Sequence, residues 1–107
     1  MKNIGELISK AQKVQSQMNI LQSKMEQQEF SGDAGNGAVK IVMTGKGMPV
    51  SVKVDKSVVD PNDVDTLEDL LLVAMKNVRD TIDNHMANEM ERIQSSLGLP
   101  PGFKLPF

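Results

Sequence analysis

The chain has 107 residues, 39% apolar and 24% charged, with a net charge of −2. That length holds one folding unit and leaves no material for a second core, and the composition is that of a small globular domain that gains much from association. The absence of cysteine excludes disulfides, thiolate nucleophiles, thiolate zinc sites and thiol redox chemistry together, and fits a reducing cytoplasm.

The N-terminal MKNIGELISK breaks its apolar residues with Asn, Gly and Glu, so no signal-peptide core is expected. No run approaches the ~18 apolar residues of a membrane span, and no membrane partner is expected. Asn3 followed by Glu6 has capping-box spacing, after which Ile4, Leu7, Ile8, Ala11, Val14, Met18, Leu21 and Met25 recur at helical intervals. This predicts helix 1 over residues 3–27. On a wheel of ~100° per residue, Lys2, Lys10, Lys13 and Lys24 fall in one arc of about 80°, opposite the apolar stripe, with Glu6 among them. Two readings stand for that arc. It is a phosphate-binding stripe, since phosphate contacts need only flexible point charges on one face, or it is an ordinary solvated face.

The period then changes to two. Val39, Ile41 and Met43 alternate with Lys40, Val42 and Thr44, and Val50, Val52 and Val54 alternate with Ser51, Lys53 and Asp55. Both runs read as half-buried strands. The glycines of DAGNG (33–37) and GKGM (45–48) suit turns, and neither stretch completes a phosphate-binding loop motif. A first strand at Glu29–Gly32, with Phe30 inward, completes an antiparallel meander within residues 29–55. Lys40 and Lys53 fall on the face opposite the inward valines, where they extend a basic surface or protect the sheet from aggregation.

Asp60-Pro61-Asn62-Asp63 ends the strands, and Asp63 or Asp65 caps a second helix predicted over 65–97. Its apolar positions are Leu67, Leu71, Ala74, Val78, Ile82, Met86, Ile93 and Leu97. Arg79 and Arg92 stand among Asp80, Asp83, Glu89 and Glu91, an unfavourable setting for a DNA-binding arm. His85 falls on the apolar side, the position of a packed histidine, with no nucleophile in sequence reach. Asp60, Asp63, Asp65, Glu68 and Asp69 lack EF-hand spacing and read as caps and helix-dipole partners. No metal, cofactor or catalytic constellation is expected. The proline-rich tail 99–107 carries Phe103 and Phe107, two of the three phenylalanines. It seals apolar surface near the helix ends, frays as a terminus, or serves as a peptide motif for another protein.

Charge divides along the chain: residues 1–53 hold seven lysines against four acids, and residues 54–107 five bases against ten acids. One end can face an anion while the other repels it. Geometry adds a second constraint. Three strands at ~4.8 Å spacing give a sheet about 14 Å wide, against about 20 Å for two helices side by side, and a ~48 Å helix 2 overhangs a strand of about 20 Å. The expectation is a two-layer α+β subunit that pairs with a second copy. Met18, Leu21, Met25, Val52, Val54, Leu71, Val78 and Ile82 then form the core or the dimer contact.

The Gln- and Lys-rich first helix, GNGAVKIVMTG, VSVKVD, DPNDVDTLEDLLLVAMKNV and the ending LPPGFKLPF together resemble the YbaB/EbfC family of bacterial nucleoid-associated proteins over nearly the full length. The resemblance implies an α-β-β-β-α subunit, a tight homodimer with projecting helices likened to tweezers, and binding of duplex DNA with little sequence preference in the cytoplasm, at the nucleoid. Lys2, Lys10, Lys13, Lys24, Lys40 and Lys53 are the candidate phosphate contacts. The rival reading is a protein-interaction module, a dimeric adaptor that binds a partner protein through apolar helix surfaces.

Overall fold

A computed structural model describes residues 4–98; Lys2, Phe103 and Phe107 lie outside the described residues. Helix α1 spans Ile4–Gln27, strands β1, β2 and β3 span Glu29–Ala34, Val39–Thr44 and Pro49–Val54, a 3-10 turn covers Lys56–Val58, and helix α2 spans Val64–Ser96. The strands pair antiparallel in the order β1-β2-β3, which is the expected α+β meander between two helices. Gly35, Asn36 and Gly37 all take positive φ at the β1–β2 turn, a backbone that few other residues tolerate. At the β2–β3 turn the Thr44 hydroxyl accepts from the Lys46 and Met48 N–H groups. Of the two candidate caps it is Asp63 that starts α2, its carboxylate accepting from the Thr66 N–H at 3.4 Å and the Thr66 hydroxyl at 2.7 Å.

The core lies between α2 and one face of the sheet. Phe30, Gly32 and Ala34 of β1 and Val39 and Ile41 of β2 are buried there, under Ala74, Val78 and Ile82 of α2. Gly32 sets how closely the helix comes. A Cβ built on it would lie 2.2 Å from the Val78 nitrogen, so helix backbone rests directly on strand backbone. The Asn77 amide donates to the Asp33 carbonyl at 2.8 Å, which ties α2 to the β1 edge. Further along, the His85 ring sits 5.1 Å from Phe30, and beyond it α2 leaves the sheet.

There α1 takes over as its partner. The Gly45 N–H donates to the Met25 carbonyl at 2.8 Å, locking the end of α1 to the end of β2. From that anchor α1 runs back alongside the overhanging part of α2, with Leu21 and Ile93 lining one cleft and Met86, Met90 and Leu97 packed on the same core. The two helices form an antiparallel arm that gives the molecule its 71 × 24 × 17 Å proportions.

Two expectations change. Met18, Leu21 and Met25 are buried within the single chain and need no second copy, because the overhang of α2 that lacks a sheet covers the stripe of α1. Val78 and Ile82 are likewise buried in the subunit core and Leu71 packs half-buried against it. In contrast, Val52 and Val54 are not core residues of one chain: they are 54% and 38% exposed. They pair with Ile41 and Val39 and so share the inner face, but α2 lies toward β1 and leaves β3 bare. Leu72 and Met75 of α2 are exposed too. They sit seven and four residues before Arg79, whose guanidinium lies at the Gly47 turn, and so point to the β3 side. An apolar shelf of Val52, Val54, Met75 and Leu72 results.

Candidate nucleic-acid interface

The arm carries the first group of candidate lysines. Lys13 and Lys24 are exposed, and Lys10 is half-buried. The buried side of α1 is centred on Val14, Met18, Leu21 and Met25, whereas Ile4, Leu7 and Ile8 remain exposed. Lys10 lies one turn before Val14 and therefore along the shoulder of the buried stripe. The lysine arc thus flanks the core face and does not stand opposite it, as expected from the wheel, because the apolar residues of the first turns pulled the inferred stripe away from its true centre.

This flank faces the α1–α2 cleft. Gln17, Ile20, Leu21 and Lys24 line one wall, and Glu89, Arg92 and Ile93 the other. Arg92 therefore joins the lysine side of the arm, held there by Glu89, which accepts from its Nε at 2.8 Å and also from its Nη2. His85 Nε2 lies 3.7 Å from the same carboxylate group. Arg92 is a basic residue whose place in the site the sequence did not reveal: the register between two helices far apart in the chain puts it there, and no local pattern encodes that register.

The remaining bases sort into paired and unpaired. Lys46 lies 3.7 Å from Glu26 and Arg79 lies 3.3 Å from Asp83. Among the described residues Lys10, Lys13, Lys24, Lys40, Lys53, Lys56 and Lys76 make no ion pair. The helices of the arm also differ. Over Val64–Ser96, α2 has three bases against seven acids, so the basic character of the arm belongs to α1 with Arg92 as the contribution of α2.

Lys40 and Lys53 do not join this group. They stand directly opposite each other on β2 and β3, on the sheet face that no helix covers and near the end of β2 remote from the Gly45 anchor of α1. Across β2 on the other side, Lys40 faces Asp33, so this face carries a carboxylate beside its two ammonium groups. The Asp55 carboxylate accepts from the Ser57 N–H at 2.9 Å, and this bond, with that to the Ser57 side chain, holds its pKa below the usual carboxylate range. Phe30 is buried and the His85 ring packs against it, so the aromatic rings of the described residues offer no open stacking platform for unpaired bases. Among the described residues no three His, Asp or Glu side chains converge on a metal position.

Comparison with known proteins decides the family. The YbaB/EbfC DNA-binding family matches over residues 1–97. The chain belongs to that family. It is 45% identical over 107 residues to a nucleoid-associated protein of Rhodospirillum centenum and 44% identical over 107 residues to one of Paramagnetospirillum magneticum, each match covering both chains completely. A nucleoid-associated protein of Clostridium novyi is 41% identical over 101 residues, covering 94% of this chain and 89% of its own. The fold is shared with the crystal structure of the uncharacterised protein HP0035 from Helicobacter pylori, at a TM-score of 0.61 and 19% identity over 70% of this chain and 87% of that one. The YbaB/EbfC family is a DNA-binding one, not an enzyme family. No helix among the described residues is long and apolar enough to cross a membrane.

Proposed function

We propose that this YbaB/EbfC protein is a non-enzymatic, nucleoid-associated homodimer of the bacterial cytoplasm that holds duplex DNA through phosphate contacts, with little sequence preference. The observation that carries this reading is that Lys10, Lys13 and Lys24 stand on one helix of the arm without a carboxylate partner, whereas Arg92 on the facing helix is held by Glu89. An ammonium with no carboxylate partner keeps its full charge for a phosphate, and phosphate contacts hold a protein on DNA without reading its sequence. The dimer is supported by the bare shelf on β3, since each large apolar side chain left in water forgoes about 1.5–3 kcal/mol. A second copy seated there would restore the burial that α2 does not provide.

The test is charge reversal along the arm. Lys10→Glu, Lys13→Glu and Lys24→Glu together are expected to abolish gel retardation of a duplex while the helical circular dichroism and the solution mass stay those of the wild type. Two copies offering three lysines each make about six phosphate contacts, which predicts a slope near −5 for log K against log salt and a loss of roughly a thousandfold between 50 and 200 mM. Unaltered retardation in the triple variant removes the stripe from the mechanism. Capture of a protein partner that survives high salt, with no duplex bound, replaces this reading by the adaptor one.

A further inference from the structure

The apolar stripe of α1 outlasts the helix that covers it. Gln17, Leu21 and Lys24 of α1 face Glu89, Arg92 and Ile93 of α2 across the cleft, and the two helices run antiparallel, so Val14 is level with the last turn of α2, where Leu97 packs on the same core. There α2 ends, at Ser96, whereas α1 extends to Ile4, ~15 Å beyond Val14. Leu7 lies seven residues before Val14 and so on the same line of the helix, yet it is 64% exposed against 5% for Val14, and Ile4 and Ile8 beside it are exposed as well. The difference is the missing cover of α2. The bare patch is small: ~15 Å of helix about 10 Å across gives roughly 150 Å², against about 800 Å² on each partner in a stable protein interface. A second copy would gain too little there.

We infer that residues 99–107 of the same chain cover this patch, laying Phe103, Leu105 and Phe107 along Ile4, Leu7 and Ile8 as a clasp on the free end of α1. The segment starts where the cover is lost. Gly98, at φ 70°, is a left-handed residue that turns the chain off the axis of α2. At ~3.1 Å per residue for extended proline-rich chain, Phe103 reaches ~15 Å from Gly98 and Phe107 ~28 Å, enough for any point between Val14 and Ile4. Phe103, Leu105 and Phe107 alternate with Lys104 and Pro106 and so share one side of an extended chain. Pro100, Pro101 and Pro106 bring no N–H to be left unpaired against the apolar patch and lose little freedom on docking. Attachment to the same chain holds the segment at roughly millimolar effective concentration, so a few apolar contacts suffice. The part of α1 held in this way carries Lys10 and Lys13, and Lys13, nine residues after Ile4, stays open on the opposite side of the helix. The contact does not depend on the DNA-binding reading.

Two reciprocal measurements on the full-length protein test it. Amide hydrogen exchange reads the helix: Phe103→Ser with Phe107→Ser is expected to speed exchange at residues 8–13 about tenfold over the wild type and to leave residues 18–25 unchanged. Trypsin reads the tail: cleavage after Lys104, followed by mass, is expected to be about tenfold faster in Leu7→Ser with Ile8→Ser than in the wild type, because cleavage tracks the population of the open form. Leu7 and Ile8 lie outside the buried core, so the helix variant keeps the fold. Equal exchange at residues 8–13 in the tail variant and the wild type overturns the proposal. So does a cleavage rate at Lys104 that the helix variant leaves unchanged, since the segment would then be free or docked elsewhere. A wild-type cleavage rate that rises on dilution puts the segment on a second copy and overturns the contact within one chain.

Discussion

The two edge strands of the sheet are treated in opposite ways. β3 presents Val52 and Val54 to the inner face and is left bare, while β1 presents Phe30, Gly32 and Ala34 and is fully covered. The strand with the stronger apolar pattern is the exposed one. Hydrophobicity therefore does not choose where α2 lies. Close approach does: the missing side chain at Gly32 lets the helix backbone reach the strand, with dispersion contacts at a packing density that a branched residue in that row would prevent. The Asn77 bond to the Asp33 carbonyl then holds α2 at the β1 edge, and the valines of β3 remain uncovered.

The sharpest way to break this contrast is to fill the gap. Gly32→Ala places a methyl 2.2 Å from the Val78 nitrogen and 2.7 Å from the Ala74 carbonyl oxygen, and neither is a flexible side chain that can move aside. Overpacking of a core costs about 1–3 kcal/mol and more where backbone must shift, so a loss of about 3 kcal/mol or more is expected in urea unfolding. For a small domain with total stability of about 5–15 kcal/mol, that is a large share. A midpoint unchanged from the wild type would mean that α2 is not seated on Gly32.

Much of this architecture was legible in the residues. The switch from a 3.6 to a 2.0 period separated helices from strands, Phe30 was placed inward by alternation, and the Asp63 cap was one of two named candidates. What sequence did not show is the relation between elements distant in the chain. A glycine inside a strand signals either weakness or close approach, and only the helix seen above it distinguishes the two. Val52 and Val54 alternate just as covered strand residues do, so nothing local marks them as bare. The arm hid its geometry for the same reason: the burial of Met18 and Leu21 and the arrival of Arg92 beside Lys24 both depend on the α1–α2 register.

A second test acts on the bare side. Val52→Asp puts a carboxylate in the middle of the β3 shelf, at a position already 54% exposed in one chain, so the fold of the subunit is expected to survive. In a two-fold contact the change occurs twice, and charges buried without partners cost several kcal/mol. The dimer is expected to weaken about a hundredfold or more, roughly 2.7 kcal/mol, read as a halved mass in light scattering at micromolar protein. The melting temperature should then cease to depend on concentration. A variant that keeps the mass of the wild-type dimer would place the contact elsewhere than β3.

The smallest expected effect lies on the outer face, where the same two edges differ in charge. β1 sets Asp33 across from Lys40, and β3 sets Lys53 across from it. Lys53→Glu converts the like-charged pair into an opposite one, and cross-strand pairs of this kind are worth about 0.2–1 kcal/mol. The variant is therefore expected to melt higher than the wild type, by a few degrees at most for a domain of this size, and the gain should shrink as salt screens the surface. The Asp33 carboxylate opposite Lys40 already offsets part of the Lys40–Lys53 repulsion, which keeps the expected gain toward the low end of that range.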